Sequence, residues 1–326
     1  MLILNASAIR QALPMRETIE AMKAAYATLS AGRADIPLRT SLSIPSQEAT
    51  ALFMPAYVPG EEGDALTLKI VTLFPHNVPA GLPFIHAAVL VMDASTGQML
   101  ALLEGGTLTA IRTGAAGGAA ADLLARPDSH TVALFGAGVQ ARTQLEAVCA
   151  VRPIEKVWIH GLSMEQIETF IADMTTRVRA TLLPAESPRQ ALAEADIICA
   201  ATTTTTPLFD DADLRPGTHV TGVGSYTPAM IEIPPATVAR ARVVVDSRSA
   251  CQAEAGEIIR ATEQGLFDWQ NAAELGEIVL GQQEGRTSLE QITFFKSVGV
   301  AVQDAAAAKL ALLTAKKLGL GQKVAW

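Results

Sequence analysis

The stretch Thr131–Val151, TVALFGAGVQARTQLEAVCAV, decides the fold. It opens with a short apolar, β-prone run and closes with a helical run, and between them Gly136-Ala137-Gly138-Val139-Gln140-Ala141 fits G-x-G-x-x-G/A. On its own the motif is weak, because a glycine turn joins strand to helix in many sheet proteins that bind nothing. Placed after a strand and at the start of a helix it has a physical meaning. Gly136 permits the tight turn, Gly138 lets backbone N–H groups approach a pyrophosphate, and Ala141 allows the helix to lie close on the strand. The first helical turn then offers unpaired N–H groups to the anion. The reading is a dinucleotide site on Gly136, Ala137, Gly138, Val139 and Gln140.

Working outward, strands are expected at Thr131–Phe135, Lys156–His160, Ile197–Ala201, His219–Gly222 and Val243–Asp246, with helical stretches between several of them. That alternation predicts a parallel sheet covered on both faces. The Thr202–Thr206 run ends a strand of this sheet, which brings Thr202 to the cofactor side. Upstream the register differs. Residues 14–31 have helical spacing, with Ile19, Met22, Ala25, Tyr26 and Leu29 on one face. Three runs bounded by Pro and Gly, Ala51–Met54, Leu66–Leu73 and Ile85–Met92, read as strands. Residues 107–125 are Ala/Gly-rich and predict a tightly packed helix, and 302–317 predict a last one.

With 326 residues, 49% of them apolar and 18% charged, the chain is a globular protein with room for two domains. A net charge of −8 without a basic run argues against nucleic acid or an anionic membrane surface as partner. Cys149, Cys199 and Cys251 are scattered, which is neither a disulfide framework nor a metal cluster. Reduced thiols, no metal, no signal peptide and a cytoplasmic location are expected. No charge-free apolar run is long enough for a membrane span.

NAD enzymes usually carry an acid at the tip of the second strand, for the ribose 2′-hydroxyl. Here that tip reads Ile159-His160-Gly161-Leu162-Ser163 and has neither acid nor arginine. Ser163, and His160 when protonated, are candidates to meet a 2′-phosphate. The competing reading of both is a solvated turn. NADP is the expected cofactor, with NAD also accepted.

The segments LTAIRTGAAGG (108–118), VALFGAGVQARTQLEAV (132–148), GTHVTGVGSYTP (217–228), VVVDSRSACQAEAGEI (243–258) and FFKSVGVAVQDAAAAK (294–309) together resemble the ornithine cyclodeaminase/mu-crystallin family over essentially the whole chain. The resemblance implies an α/β architecture: a Rossmann-type doubly wound parallel sheet over 126–302, and an α+β substrate and dimerisation domain built from both chain ends, 1–125 and 303–326. A homodimer acting on a small imino or amino acid is expected. It also implies that Arg39 and Arg112 bind the substrate carboxylate and that Lys69 stands beside the substrate. The chemistry agrees: a guanidinium grips a carboxylate bidentately, and a lysine in an apolar strand loses pKa on desolvation and becomes able to exchange protons. For such residues taken singly, structural ion pairs and a lysine snorkelling to water are the competing readings. His86 is either a core histidine or, if its strand lines the same pocket, a substrate contact. Ser297 and Gly299 match a segment near the nicotinamide, where Gly299 is alternatively a packing requirement.

The sequence departs from the pattern at Gly224-Ser225-Tyr226-Thr227-Pro228. Ornithine cyclodeaminases and the related alanine dehydrogenase carry a catalytic aspartate where Tyr226 stands. A phenol with a pKa of about 10 is no carboxylate base at neutral pH. Ser225 and Tyr226 also supply no charge for a distal amine. GSYTP looks more like the cyclic ketimine reductases of the family, which reduce pyrroline-2-carboxylate or piperideine-2-carboxylate to proline or pipecolate. The expectation is therefore NAD(P)H-dependent imine reduction, with Ser225 and Tyr226 at the substrate and Lys69 as the catalytic group. The alternatives are an ornithine cyclodeaminase or alanine dehydrogenase, and a non-catalytic NADPH-binding protein of the crystallin kind.

Overall fold

A computed structural model of the chain describes residues 1–60, 63–77 and 79–325. The first half runs β1 (Leu2–Leu4), α1 (Ala6–Ala12), α2 (Met15–Ser30), β2 (Thr40–Ile44), β3 (Ala49–Val58), β4 (Ala65–Leu73), β5 (Ile85–Met92), β6 (Met99–Glu104) and α3 (Gly105–Leu124). It continues through β7 (Thr131–Phe135), α4 (Val139–Val151), β8 (Lys156–His160), α5 (Met164–Met174), β9 (Thr181–Pro184), α6 (Pro188–Leu192), β10 (Ile197–Ala200) and β11 (His219–Gly222). Then come α7 (Pro235–Arg240), β12 (Arg242–Val245), α8 (Arg248–Glu254), α9 (Gly256–Glu263), β13 (Ala273–Glu274), α10 (Leu275–Val279), β14 (Thr293–Lys296), α11 (Ala301–Leu318) and β15 (Gln322–Lys323).

The chain divides into two units, residues 1–112 with 300–326, and residues 113–299. The change-over falls inside α3 rather than after it. The second half of that helix packs on α4, which explains its Ala/Gly composition: a Cβ on Gly114 would lie 2.4 Å from the Thr143 carbonyl oxygen, and one on Gly117 would lie 2.0 Å from Gln144 Oε1.

The unit 113–299 is a parallel sheet in the order β13-β12-β14-β11-β10-β7-β8-β9. Its strands are apolar along their whole length because both faces are covered. Ala133, Phe135, Ile198, Ala200, Val220 and Phe294 enter one core. Val132, Leu134, Val157, Ile159, Ile197 and Cys199 enter the other. The order reverses between β7 and β10, and a crevice at the carboxyl ends of the strands is where such sheets bind ligands. Strand β14 is inserted between β11 and β12, an arrangement that strand spacing in the sequence does not reveal.

The other unit holds a seven-stranded mixed sheet, β15-β1-β6-β5-β4-β3-β2. Period-2 alternation turns Thr67, Lys69 and Val71 of β4 to one face, together with Met54 and Ala56 of β3. Ala301 and Ala305 of α11 pack on Met54, Ala56 and Val71. On the opposite face stand Leu42, Phe53, Leu66, Leu68, Ile70 and Leu90, all at least partly exposed, with Leu42 at 55% and Ile70 at 39%. Among the described residues no helix is long and apolar enough to cross a membrane.

Candidate active site

The turn from β7 into α4 has the geometry that its glycines foretell. Gly136 sits at φ +101°, where a Cβ would meet the Ala201 carbonyl oxygen at 2.6 Å. Gly138 is the N-cap of α4, and a Cβ placed there would have nothing within 4 Å. The open side of the turn thus lies above the first helical turn, where the helix supplies no acceptor for the Val139 and Gln140 N–H groups. Val139 is 64% exposed at this edge. Arg142, which the sequence reading missed, locks the turn from below. Its Nη1 donates to the carbonyls of Ala137 (2.7 Å) and Gly138 (3.1 Å), and its Nε donates to Asp173 (2.7 Å). With its carbonyls held inward, the turn fits a pyrophosphate.

At the tip of β8 the His160 ring Nδ1 lies 3.1 Å from the Ala185 carbonyl and donates to it. Ser163 caps α5 by accepting from the Gln166 N–H at 3.3 Å. Leu162 between them is 96% exposed. Thr202 follows β10, but its N–H and hydroxyl both donate to Glu232, at 2.6 and 2.9 Å. The segment after β14 is held by Asp246, whose Oδ2 accepts from Ser297 Oγ (2.8 Å), Val298 N (3.0 Å) and Gly299 N (2.8 Å). Gly299 adopts φ +87°, so the backbone bend requires glycine there. Ser225 is fully buried, and its hydroxyl faces Glu257 and Lys296. Tyr226, the next residue, is half-buried.

In the other unit, Lys69 and Arg112 converge on an aspartate that the sequence reading did not single out. Lys69 Nζ lies 2.6 Å from Asp304 Oδ2, and Arg112 Nε lies 3.1 Å from Oδ1. All three residues are buried. Neither contact has the angles of a hydrogen bond, so Arg112 Nε and both Asp304 oxygens are buried without a hydrogen-bond partner among the described residues. Arg112 is anchored by its Nη1, which donates to Gln303 Oε1 at 2.6 Å, while Gln303 Nε2 donates to Tyr26 at 2.6 Å. Gln303 Oε1 also accepts from Val300 N at 2.8 Å, at the start of α11. Arg39 precedes Thr40, which pairs with Phe53, so it falls beside Met54, the partner of Lys69, on the Lys69 face.

Burial pulls the Lys69 pKa down to about 8; Asp304 opposes that shift, while the Arg112 and Arg39 charges reinforce it. Lys69 and Arg112, two cations, thus meet the one carboxylate of Asp304, and the surplus suits an anionic ligand. His86 is not brought to this cluster. Lys69 pairs with Val89, and His86, three residues away on a regular strand, points to the opposite, exposed face.

A sign of the missed residues was present in the sequence. Asp246, Lys296 and Asp304 are charges at the ends of, or inside, apolar runs, where an unpaired charge is too costly to keep.

The model of the family described as "Ornithine cyclodeaminase/mu-crystallin family" matches residues 1–316. The chain is 40% identical over 326 residues to a Delta(1)-pyrroline-2-carboxylate reductase of Bacillus cereus, covering 99% of each. It is 31% identical over 325 residues to an alanine dehydrogenase of Archaeoglobus fulgidus, covering 99% of this chain and 98% of that protein. The solved structure of Thermococcus litoralis Delta(1)-pyrroline-2-carboxylate reductase in complex with NADH and L-proline is similar at a TM-score of 0.95 and 40% identity, over 99% of this chain and 100% of that one. A glycine turn on a doubly wound sheet, a buried lysine and arginine sharing one aspartate, and full-length similarity to these enzymes agree, and the chain belongs to the ornithine cyclodeaminase/mu-crystallin family.

Proposed function

We propose that this protein is an NAD(P)H-dependent reductase of a cyclic ketimine carboxylate, of the pyrroline-2-carboxylate or piperideine-2-carboxylate type, yielding the cyclic amino acid. The observation that carries the reading is the Lys69–Arg112–Asp304 cluster: a buried lysine with a pKa of about 8 beside a buried guanidinium whose Nε has no hydrogen-bond partner among the described residues. The reductase relatives, and the solved reductase that holds NADH and L-proline, support it.

Gly136 to Gln140 hold the pyrophosphate of the cofactor, which when bound supplies the hydride. Arg112, with its Nη1 fixed by Gln303, and Arg39 grip the substrate carboxylate and set the ring's orientation. Lys69 donates the proton that the imine nitrogen gains as its carbon is reduced. Its pKa near neutrality suits that task, since the ammonium is populated yet gives up its proton readily. Asp304 keeps Lys69 charged despite burial and holds it in place. Tyr226 offers no carboxylate to take a proton from an amino acid, which favours imine reduction over oxidative deamination.

The protein acts as a homodimer in this reading, joined through the exposed apolar face of the seven-stranded sheet around Leu42, Phe53, Leu68 and Ile70. Its three cysteines are free, in keeping with the cytoplasm.

One assay tests the chemistry: NADPH and NADH oxidation with pyrroline-2-carboxylate and piperideine-2-carboxylate, beside L-ornithine and L-alanine with NAD. Turnover of an imine without ammonia release from ornithine is expected. Robust ammonia release would replace this reading with a deaminase, and no turnover of any substrate would replace it with a binding protein.

A further inference from the structure

One set of charges takes no part in this chemistry. Ser225, Glu232, Glu257 and Lys296 are all 0% exposed. Lys296 Nζ lies 2.8 Å from Glu257 Oε1 and donates to Ser225 Oγ at 2.5 Å and to the Ser225 carbonyl at 2.7 Å. Ser225 Oγ donates to Glu257 Oε2 at 2.5 Å. On the other side Glu232 Oε2 accepts from the N–H groups of Gly224 (2.7 Å) and Ser225 (3.0 Å), and Oε1 accepts from Thr202 N and Oγ1. Every hydrogen-bonding group of Ser225 is thus engaged. The network binds together the ends of three adjacent strands: β10 through Thr202, β11 through Gly224 and Ser225, and β14 through Lys296.

Where those strands stand gives the network its meaning. In a sheet ordered β9-β8-β7-β10-β11, the half on the β8 side of the switch point takes the adenosine and the half from β10 onward takes the nicotinamide. The packing there is tight: a Cβ on Gly224 would fall 2.0 Å from the Thr202 carbonyl oxygen. Charge is unbalanced. Each Glu232 oxygen meets two donors, the pattern of an ionised, acceptor-only carboxylate. Two carboxylates then face one ammonium, and Asp246 at the neighbouring strand end adds a third carboxylate. Apolar residues of similar volume would serve stability as well or better.

We propose that the Glu232–Ser225–Glu257–Lys296 network is a positioning device for the nicotinamide half that also carries a surplus negative charge at those strand ends, so that it favours the oxidised, cationic ring over the reduced, neutral one. This rests on the reading of the unit as an NAD(P) domain. The same preference lowers the barrier to hydride donation, because positive charge develops on the ring as hydride leaves.

The test is the ratio of two dissociation constants, for NADP⁺ and for NADPH, by fluorescence titration of NADPH and its displacement by NADP⁺. Glu257→Gln removes a negative charge while keeping the side chain's size and one acceptor oxygen; it should weaken NADP⁺ relative to NADPH by about threefold to tenfold. Lys296→Gln removes the positive charge and should move the ratio in the opposite direction. Ser225→Ala removes a link but no charge and should weaken both nucleotides by the same factor. Glu257→Gln and Lys296→Gln moving the ratio in the same direction, or leaving it unmoved, would overturn the proposal. Wild-type protein that binds neither nucleotide would instead overturn the cofactor reading on which it rests.

Discussion

Asp304→Asn puts the proton-donor role of Lys69 to a quantitative test. The substitution keeps the size of the side chain and removes the one carboxylate within 2.6 Å of the ammonium. The pKa of Lys69 is about 8 because burial drives it down while Asp304 holds it up. An opposite charge at this range shifts a pKa by about 1–3 units, so in Asp304→Asn that of Lys69 falls to about 5–7. The sign follows from the chemistry: imine reduction uses the ammonium form, so activity declines as pH rises through the Lys69 pKa. At about pH 7.5 roughly three-quarters of Lys69 is charged in the native protein and roughly a quarter or less in the variant, a loss of about threefold at the smallest shift and about two-hundredfold at the largest. The assay is the pH profile of kcat/KM for NADPH-dependent reduction of pyrroline-2-carboxylate. Titration of the substrate itself is common to both proteins, so any difference between the profiles belongs to the protein. The alkaline limb should move to lower pH by at least about one unit, with activity recovering toward acid pH. A limb that stays in place would refute the assignment of Lys69 as the donor or of Asp304 as its partner.

Three further outcomes are expected. Arg112→Lys keeps the charge but loses the planar fork that Gln303 holds, and should lower kcat/KM by about tenfold or more with NADPH affinity unchanged; full activity would make Arg112 a purely structural residue. NADPH should serve at least as well as NADH, and Gly161→Asp, whose Cβ meets nothing closer than Ile167 Cγ1 at 3.4 Å, should lower kcat/KM for NADPH relative to NADH by about tenfold; an unchanged cofactor ratio would place the 2′-group elsewhere. Gly224→Ala drives a Cβ into the backbone of Thr202 and should cost about 2 kcal/mol or more, seen as a Tm lowered by about 4 °C or more; an unchanged Tm would show that the strand ends are not jammed.

What could be read from the sequence was what chemistry fixes locally. A turn that needs φ above zero at Gly136 announces itself in the glycine, and the strand before it and the helix after it have their own periodicities. The pairing of Lys69 with Asp304 is different in kind. Lys69 stood out as a charge in an apolar strand, Asp304 did not, and only the packing of α11 on β4 makes them partners. His86 illustrates the same limit through parity. Alternation says that His86 and Lys69 each face one side of a strand, but whether it is the same side depends on the register that pairs Lys69 with Val89. Ser225 was assigned to the substrate on its place in GSYTP; its neighbours Glu232, Glu257 and Lys296 come from three separate segments and turn it inward. The division into two compact units at residue 112 falls inside α3, a helix that spacing alone reads as one piece, and its later glycines serve packing against α4.

Strand order also governs when this protein can fold during synthesis. Strand β14 lies between β11 and β12, so after β12 has left the ribosome its partner in the sheet is still to be made. The other sheet waits longer. Strand β1 is flanked by β15, with Leu2 opposite Lys323, and α11, which covers the Lys69 face, is translated only shortly before β15. Neither sheet closes until nearly all of this sequence has emerged. For most of translation the nascent chain therefore presents open strand edges and uncovered apolar faces, the condition in which chains depend on chaperones and are most prone to aggregate.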